Sequence, residues 1–228
     1  MRSLLLRLGV LGLSVGLLAG CATQSGVQPE TVQAAAAKKM GQIESILILP
    51  PKNITHDVDA SNAIYASTQR PLAESGYYVV PISVVDQVLK ANGVTVADQA
   101  HEISTEKLHW VFGADAALYI TVTEYGSKFQ FLNSQSVVAI HARLVNLSSG
   151  EVLWDGRKRV VQEQNQSPST VGLLGSLVQA VVNHVINTLS DESRRLGFLA
   201  NEQMLSWEYD TGLPPGPYRR AVLQEGQP

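Results

Sequence analysis

The chain of 228 residues contains a single cysteine, Cys21. A chain with one cysteine cannot form an internal disulfide, so the folded part must be stabilised by core packing. Apolar residues make up 45% of the sequence and charged residues 16%. This composition is typical of a globular protein and excludes an intrinsically disordered one.

The sequence also lacks the residue patterns of common catalytic and metal sites. It has no G-x-S-x-G motif, no glycine-rich phosphate loop and no recognisable pair of catalytic carboxylates. The histidines do not follow metal-ligand spacing either: His56, His101, His109, His141 and His184. The sequence therefore predicts neither an enzyme nor a cofactor or metal site.

Long runs of positive charge and long apolar runs are missing as well. With a net charge of −3 and no basic stretch, the chain is not expected to bind nucleic acid. From Leu8 to Ala19 every residue except Ser14 is apolar or small. As a helix this stretch spans roughly 18 Å, against about 30 Å for the hydrocarbon core of a bilayer. It therefore fits the apolar part of a secretory signal, not a membrane span.

Residues 1–20 are predicted to be that signal peptide. Arg2 and Arg7 give it a positive start, and Leu18-Ala19-Gly20 precede Cys21. This end resembles the bacterial lipobox, in which the chain is cut before the cysteine and the cysteine is acylated. Lipidated Cys21 is thus expected to hold the protein in a membrane. The alternative is a plain secretory signal with a coincidental cysteine.

Three segments are predicted after the signal peptide. Residues 21–42 form a tether with a short alanine-rich helix from Glu30 to Met40. Residues 43–200 form an α/β periplasmic domain, and residues 201–228 form a proline-rich C-terminal tail that lies extended. Ala22 follows the cysteine where an aspartate would favour the inner membrane. We therefore expect outer-membrane placement, with the domain facing the periplasm.

The domain is predicted to begin with a parallel pair of strands. The run 43–49 is continuously apolar, as in a strand buried on both faces, and Pro50-Pro51 force the chain out of the sheet. A helix is predicted over 62–76, with Pro71 as a kink or restart. A second strand over 77–82 and helices over 84–91 and 105–112 follow. This order calls for a right-handed crossover.

The next residues alternate between apolar and polar, which predicts an antiparallel meander. Its strands are expected at 116–124, around 138–144 and at 151–161, with a turn at 146–150 and a bulge or bend at Asp155-Gly156. Residues 172–189 then predict an amphipathic helix that packs on the sheet or serves as a partner face, with a second helix over 191–204. The expected fold is α/β: a mixed sheet with a βαβ crossover, an antiparallel meander and flanking helices.

Polar side chains follow the first predicted strand, where α/β proteins often bind ligands. Asn53, Thr55, Asp57 and Asn62 are therefore the candidate partner or ligand surface. The alternative is that the carboxylates of this loop, Asp57 and Asp59, cap the following helix and keep the loop soluble.

Several stretches together resemble a known family. They are ILPPKNIT at 48–55, YASTQRPLAESGYYVVP at 65–81 and GADAALY at 113–119. They are similar to the bacterial outer-membrane lipoproteins first noticed as a meningococcal surface-antigen candidate. GADA at 113–116 and SGEVLW at 149–154 also resemble the wider group of the TolB amino-terminal domain and CsgG-like lipoproteins. The resemblance implies a mixed sheet with helices on both sides and a place in an envelope complex.

Three functions are compatible with these features. The leading hypothesis is a structural or accessory subunit of a cell-envelope assembly or secretion complex, with envelope proteins or further copies of the chain as partners. The alternative is a ligand- or lipid-binding auxiliary component of an envelope transporter, which requires a concave apolar pocket near residues 50–62. An enzyme would require Asp57, Asp115 and a histidine to meet in one cleft.

Overall fold

The computed structural model describes residues 32–129, 134–164 and 178–225. Signal peptide, Cys21 and the first part of the tether lie outside these ranges. The described chain forms thirteen helices and strands in the following order: α1 Val32–Lys39, β1 Ser45–Ile48, β2 Lys52–Asn53, α2 Ala60–Glu74, β3 Tyr78–Val79, α3 Ile82–Ala91, α4 Ala97–Glu102, α5 Thr105–Phe112, β4 Ala116–Phe129, β5 Ser134–Asn146, β6 Val152–Gln164, α6 Val178–Leu205 and α7 Pro217–Glu225.

The strands form one mixed sheet of six, in the order β3-β1-β4-β5-β6, with β2 beside β4. β1 pairs in parallel with β3 and β4, whereas β4, β5 and β6 form an antiparallel meander. The predicted fold class is confirmed. The rule that a βαβ crossover is right-handed, together with the change from continuous to alternating apolar residues, was enough to predict it.

Each face of β1 belongs to a different core. Ile46 and Ile48 pack with α2, α6 and the inner face of the meander, where Leu118, Ile120 and the apolar residues of β5 lie. Leu47, and Leu49 directly after the strand, pack instead with α3, α4 and α5. The four apolar side chains are fully buried. A continuous apolar run is therefore required because both faces of β1 are covered.

The prolines after β1 interrupt the sheet but do not end it, which corrects the prediction. β1 ends at Ile48, and after Pro50-Pro51 the chain returns as β2 and pairs again with β4, with Lys52 opposite Thr121. Both proline carbonyls accept side-chain hydrogen bonds. His101 Nε2 lies 3.0 Å from the oxygen of Pro50, and Ser61 Oγ donates to that of Pro51.

The helix boundaries follow local signals where those signals are strong. α5 covers the predicted residues, with Ser104 accepting a hydrogen bond from the Lys107 amide at its start and Gly113, at φ 65°, ending it. The predictions for α2 and α3 were less accurate. Pro71 lies inside a continuous α2, and α3 begins at Ile82, which shortens the predicted strand to Tyr78–Val79. Helix α4 was not predicted.

The meander has two bulges, and neither lies at Asp155-Gly156, where a bulge or bend was predicted. One is in β4, where the register shifts between Val122 and Glu124. The other is in β6. The register shifts where Leu144 pairs with Trp154 and Val145 with Val152, so the extra residue is Leu153. Gly156 has a different role, because a methyl group there would overlap the indole ring of buried Trp154.

Helix α6 is one continuous helix of 28 residues. The predicted helix over 191–204 is present, but as the continuation of α6 and not as a second helix. It lies against β4, β5, β6 and α2. The predicted apolar set at 174–189 lies outside the residues whose side chains the structure describes. Further along α6, buried Asn201 donates through Nδ2 to the carbonyl oxygen of Ile64, 3.0 Å away. α6 is thereby tied to α2.

Both ends of the described chain pack on the domain. In α1, Ala36 is buried, and the side-chain Nε2 of Gln33 donates to the carbonyl oxygens of Trp207 and Leu213. This part of the predicted tether therefore contacts the domain. Among the residues described, no helix has the length and apolar character needed to cross a membrane.

The C-terminal segment, residues 206–220, is docked and partly helical, which corrects the predicted extended tail. Tyr77 donates through its hydroxyl to the carbonyl oxygen of Pro214 at 2.7 Å, and the Gly216 amide donates to that of Ser75 at 2.7 Å. Leu213 is fully buried. The prediction was wrong because a proline-rich sequence has the same local pattern whether the segment is free in solvent or docked on the domain.

Candidate binding cavity and exposed sheet edge

Three of the four candidate site residues are engaged with one another. The amide and hydroxyl groups of Thr55 donate to Asn53 Oδ1 at 2.9 and 2.7 Å. Asn53 Nδ2 donates to the carbonyl oxygen of Asp57, and Asp57 Oδ1 accepts a hydrogen bond from the Asp59 amide. These bonds shape the loop that leads into α2. They do not cap the helix, because its N-cap residue is Asp59, which makes no side-chain capping hydrogen bond.

The fourth residue, Asn62, lines a cavity of about 210 Å³ beside the carboxyl end of β1. The cavity lies between Pro50, the first turns of α2, the end of α3 and the connection into α4. Its lining combines polar groups with a partly apolar wall: Ser61, Asn62, Tyr65, Asp86, Lys90 and Thr95, with Leu89, Val94, Val96, Ala97 and Ala100. A concave site is therefore present near residues 50–62, but its lining is mixed and not the apolar one that the ligand-binding alternative required.

Opposite charges face the cavity from one side of α3. Lys90 Nζ lies 3.8 Å from Asp86 Oδ2, beyond the roughly 2.7–2.9 Å of a direct charged hydrogen bond. The Tyr65 hydroxyl lies 3.3 Å from the carbonyl oxygen of Ile48 and also interacts with Asp86. Burial raises the pKa of Tyr65, and the Asp86 carboxylate raises it further. Tyr65 therefore keeps its proton and can donate to only one acceptor at a time.

His101 holds the back of the cavity in place. Its Nε2 must carry the proton, because its partner, the carbonyl oxygen of Pro50, can only accept. The ring also meets that of Tyr119 edge to face, with centroids 5.2 Å apart. Burial is the largest cause that lowers the pKa of His101 to about 4. The residue is therefore a neutral structural donor near neutral pH.

This lowered pKa predicts a loss of stability in mild acid. Between the ordinary pKa of 6.5 and the folded value of about 4, the unfolded chain binds a proton that the folded chain excludes. The free energy of unfolding should therefore fall as the pH decreases from 6.5 to 4, by about 2 kcal/mol from this residue once solvent screening of its partly exposed ring is allowed for. We expect urea unfolding to show a weaker pH dependence for His101→Gln. Equal slopes for the variant and the parent would contradict this prediction.

The enzymatic alternative needed Asp57 and Asp115 in one cleft, and the structure separates them. Asp115 immediately precedes β4, where its Oδ2 accepts hydrogen bonds from the Glu44 and Ser45 amides. Asp57 lies near Tyr125, whose pKa is raised to about 12 by burial and, secondly, by the Asp57 charge. Nine strand residues separate these points, about 30 Å. Within the described ranges, no cluster of metal-ligating side chains occurs.

A second exposed feature is the edge strand β6. Of the strands described, only β5 pairs with it. At its start, Lys39 Nζ contacts the carbonyl oxygen of Val152 and the Glu151 carboxylate, 3.3 and 2.8 Å away. The thirteen-residue strand otherwise presents an edge to which another strand can pair.

The centre of β6 carries three consecutive cations, Arg157, Lys158 and Arg159. Arg159 Nε reaches across the small side chain of Ala139 to Glu124 Oε1 at 2.9 Å. Within the residues that the structure describes, no ion pair engages Arg157 or Lys158. The middle of the edge is therefore positively charged, although the whole chain is acidic.

Comparison with known proteins identifies the family. The family model described as "Putative lipoprotein GNA1162-like" matches residues 34–218. The chain belongs to this family. It is 45% identical over 173 residues to "Putative lipoprotein NMB1124/NMB1162" of Neisseria meningitidis serogroup B, covering 76% of this chain and 80% of that protein. The resemblance predicted from 48–55, 65–81 and 113–119 is confirmed.

Solved structures include one from the same family. The crystal structure of lipoprotein GNA1162 from Neisseria meningitidis is 48% identical, with a TM-score of 0.52, and covers 63% of this chain and 99% of that one. A dodecamer of PelC from Paraburkholderia phytofirmans is 15% identical, with a TM-score of 0.41, and covers 70% of this chain and 87% of that one.

The sequence analysis did not predict most of the residues that form the cavity. Only Asn62 belonged to the candidate set, whereas Tyr65, Asp86 and Lys90 lie on helices predicted for packing. Asp86 and Lys90 have the i,i+4 spacing of an ordinary helical ion pair. Their presence at a strand exit depends on where α3 lies on the sheet, and local sequence does not specify this.

Proposed function

We propose that this family member is anchored in the outer membrane through lipidated Cys21 and faces the periplasm. There it acts as a structural or accessory subunit of a cell-envelope assembly or secretion complex. Membership in a family described as lipoproteins and the Leu18-Ala19-Gly20-Cys21 sequence support the anchor. The observation that carries the assembly role is the long edge of β6.

The charges on β6 favour a different protein over a second copy of the chain. Antiparallel pairing of two β6 strands about their centres would bring Arg157 and Lys158 of both copies together, and like charges opposite each other are destabilising. The opposite edge of the sheet, β3, has only two residues, so head-to-tail pairing would share few hydrogen bonds. A partner strand with acidic side chains would pair with the free backbone groups of β6 and also neutralise its positive charge.

The test uses the full lipidated chain, extracted from membranes in mild detergent and analysed by native mass measurement. We expect a stoichiometric envelope protein to accompany the chain. The double variant Arg157→Glu, Lys158→Glu should lose this protein, while Lys107→Glu, an exposed lysine on α5, should keep it. The Cys21→Ser variant should no longer partition into the membrane fraction.

Crosslinking can test the position of the partner directly. If Cys21 is lipidated, a cysteine introduced by Gln162→Cys on β6 is the only free thiol in the chain. It should crosslink to the same partner, whereas Gln87→Cys on α3 should not. Recovery of a bare monomer, or of an oligomer that the charge reversal leaves unchanged, would contradict the proposed role of β6.

The alternative, a ligand- or lipid-binding auxiliary component of an envelope transporter, is supported by the cavity at Asn62. The volume of about 210 Å³ lies below the roughly 300–1,000 Å³ typical of drug-sized ligands. A bulky acyl chain is therefore a poor fit, and a small polar ligand is the better candidate for this function.

A further inference from the structure

The cavity beside Asn62 has the position and the charges of a ligand site. We propose that it binds a small zwitterion of amino-acid or dipeptide size, with the ligand ammonium at Asp86 and its carboxylate at Lys90. This inference goes beyond the assembly role proposed above and does not depend on it, because β6 forms no part of the cavity.

The topology places the cavity where an open α/β sheet has a crevice. The chain leaves β1 through α2 to reach β3 on one side, and then passes through α3, α4 and α5 to reach β4 on the other side. The two connections cover opposite faces of β1, as the separate cores show. At the carboxyl end of β1 they diverge and leave a gap. Ligands in such sheets bind at this point.

The charged groups in this gap are incompletely satisfied by each other. Lys90 Nζ and Asp86 Oδ2 are 3.8 Å apart, and their side chains are 67% and 38% exposed, so both charges are accessible and each can form a shorter bond with a ligand of opposite charge. Tyr65 can offer its one proton to Ile48 or to Asp86, so Asp86 retains accepting capacity. Both helices are fixed by the buried core, with Tyr65 and Leu89 buried beneath the site.

The apolar wall of the cavity fits a short hydrocarbon side chain of the ligand. Leu89, Val94, Ala97 and Ala100 line the cavity beside the charged groups. A small ligand with one charge of each sign and a small apolar side chain therefore matches both parts of the lining. A simple amine would satisfy Asp86 but leave Lys90 without a partner, and a simple carboxylate would do the reverse.

The experiment titrates the full chain in detergent micelles with alanyl-alanine and follows the methyl NMR signals of Leu89 and Val94. N-acetyl-alanyl-alanine, which lacks the ammonium group, and alanyl-alanine amide, which lacks the carboxylate, serve as ligand controls. We expect saturable binding of the free dipeptide and at least tenfold weaker binding of both modified forms.

The variants assign the charges. Asp86→Asn should weaken dipeptide binding at least tenfold without further weakening the N-acetylated form. Lys90→Gln should reduce dipeptide binding to the level of the amide. Ala97→Leu should block the cavity while leaving both charges in place. Asp98→Asn is the matched control, because Asp98 forms an ion pair with Lys52 outside the lining, and it should bind the dipeptide normally.

Three results would overturn the proposal. The first is that alanyl-alanine causes no saturable shift of the methyl NMR signals in the folded parent chain. The second is that alanyl-alanine amide binds as tightly as the free dipeptide, which would mean that the cavity recognises the ammonium group alone. The third is that Asp86→Asn and Asp98→Asn change dipeptide affinity equally, which would mean that the dipeptide binds outside the cavity. The extraction and crosslinking experiments on β6 involve another surface, so failure of one proposal is distinguishable from failure of the other.

Discussion

Replacing Gly216 by alanine is expected to lower the free energy of unfolding by about 3 kcal/mol, the upper range for overpacking a closely packed contact. A Cβ atom at this position would lie 2.4 Å from the carbonyl oxygen of Gly76, which belongs to the backbone and cannot rotate away. The hydrogen bond from the Gly216 amide to Ser75, 2.7 Å long, would have to lengthen as the chains separate.

The consequences should extend along the docked C-terminal segment. Trp207 and Arg219 stack at 4.7 Å within it, and the Trp207 amide donates to Ser75 Oγ. Urea unfolding measured by tryptophan fluorescence will show the loss of stability. Gly41→Ala is the matched control, because a Cβ atom there meets no other atom within 4 Å. An effect of equal size at both glycines would refute the close approach at Gly216.

The second large effect is expected at Asp115, where alanine should also cost about 3 kcal/mol. Asp115 Oδ2 accepts three hydrogen bonds, from the Glu44 amide, the Ser45 amide and the Ser45 hydroxyl, at 3.0, 2.9 and 2.7 Å. The Asp115 amide donates in return to Ser45 Oγ at 3.0 Å. These bonds join the amino ends of β1 and β4, so their removal leaves several donors without a partner.

The pH dependence of this contribution has a defined sign. Burial opposes ionisation, but the hydrogen bonds from Ser45 and Glu44 outweigh it and lower the pKa of Asp115 below 3.8. The stabilisation is therefore complete above that pH and is lost as the pH falls through the lower folded value.

Two further variants separate the hydrogen bonds from the charge. Asp115→Asn keeps an accepting oxygen and should cost less than Asp115→Ala. Asp98→Ala removes an exposed carboxylate paired with Lys52 and should cost less than about 1 kcal/mol. If Asp115→Ala were no more destabilising than Asp98→Ala, the link between β1 and β4 would be dispensable.

The fold was predictable because its main signals are local. The continuous apolar run through Leu47 and Leu49 indicated a strand with two covered faces, and alternation at Leu118 and Ile120 indicated a meander with one buried face. Ser104 and Gly113 mark the two ends of α5 by their own chemistry. Such patterns depend on neighbours along the chain and can be read without knowing the tertiary structure.

The errors occurred where distant contacts decide the conformation. Pro71 stays within α2 because the helix is held by packing on both the sheet and α6. The proline-rich C terminus docks because Gly76 and Gly216 allow two distant backbones to approach. Neither contact leaves a periodic signal in the sequence.

The sequence by itself determined the fold class, the family resemblance and the prediction of a lipidated Cys21, since each depends on residues close together along the chain. Only the tertiary structure decided which polar residues share a site. It left Asn53, Thr55 and Asp57 bonded to one another and placed Asn62 with Tyr65, Asp86 and Lys90 in one cavity. The physical reason is that crossovers on opposite faces of β1 place the start of α2 and the end of α3 around one gap at its carboxyl end, and no local pattern encodes this arrangement.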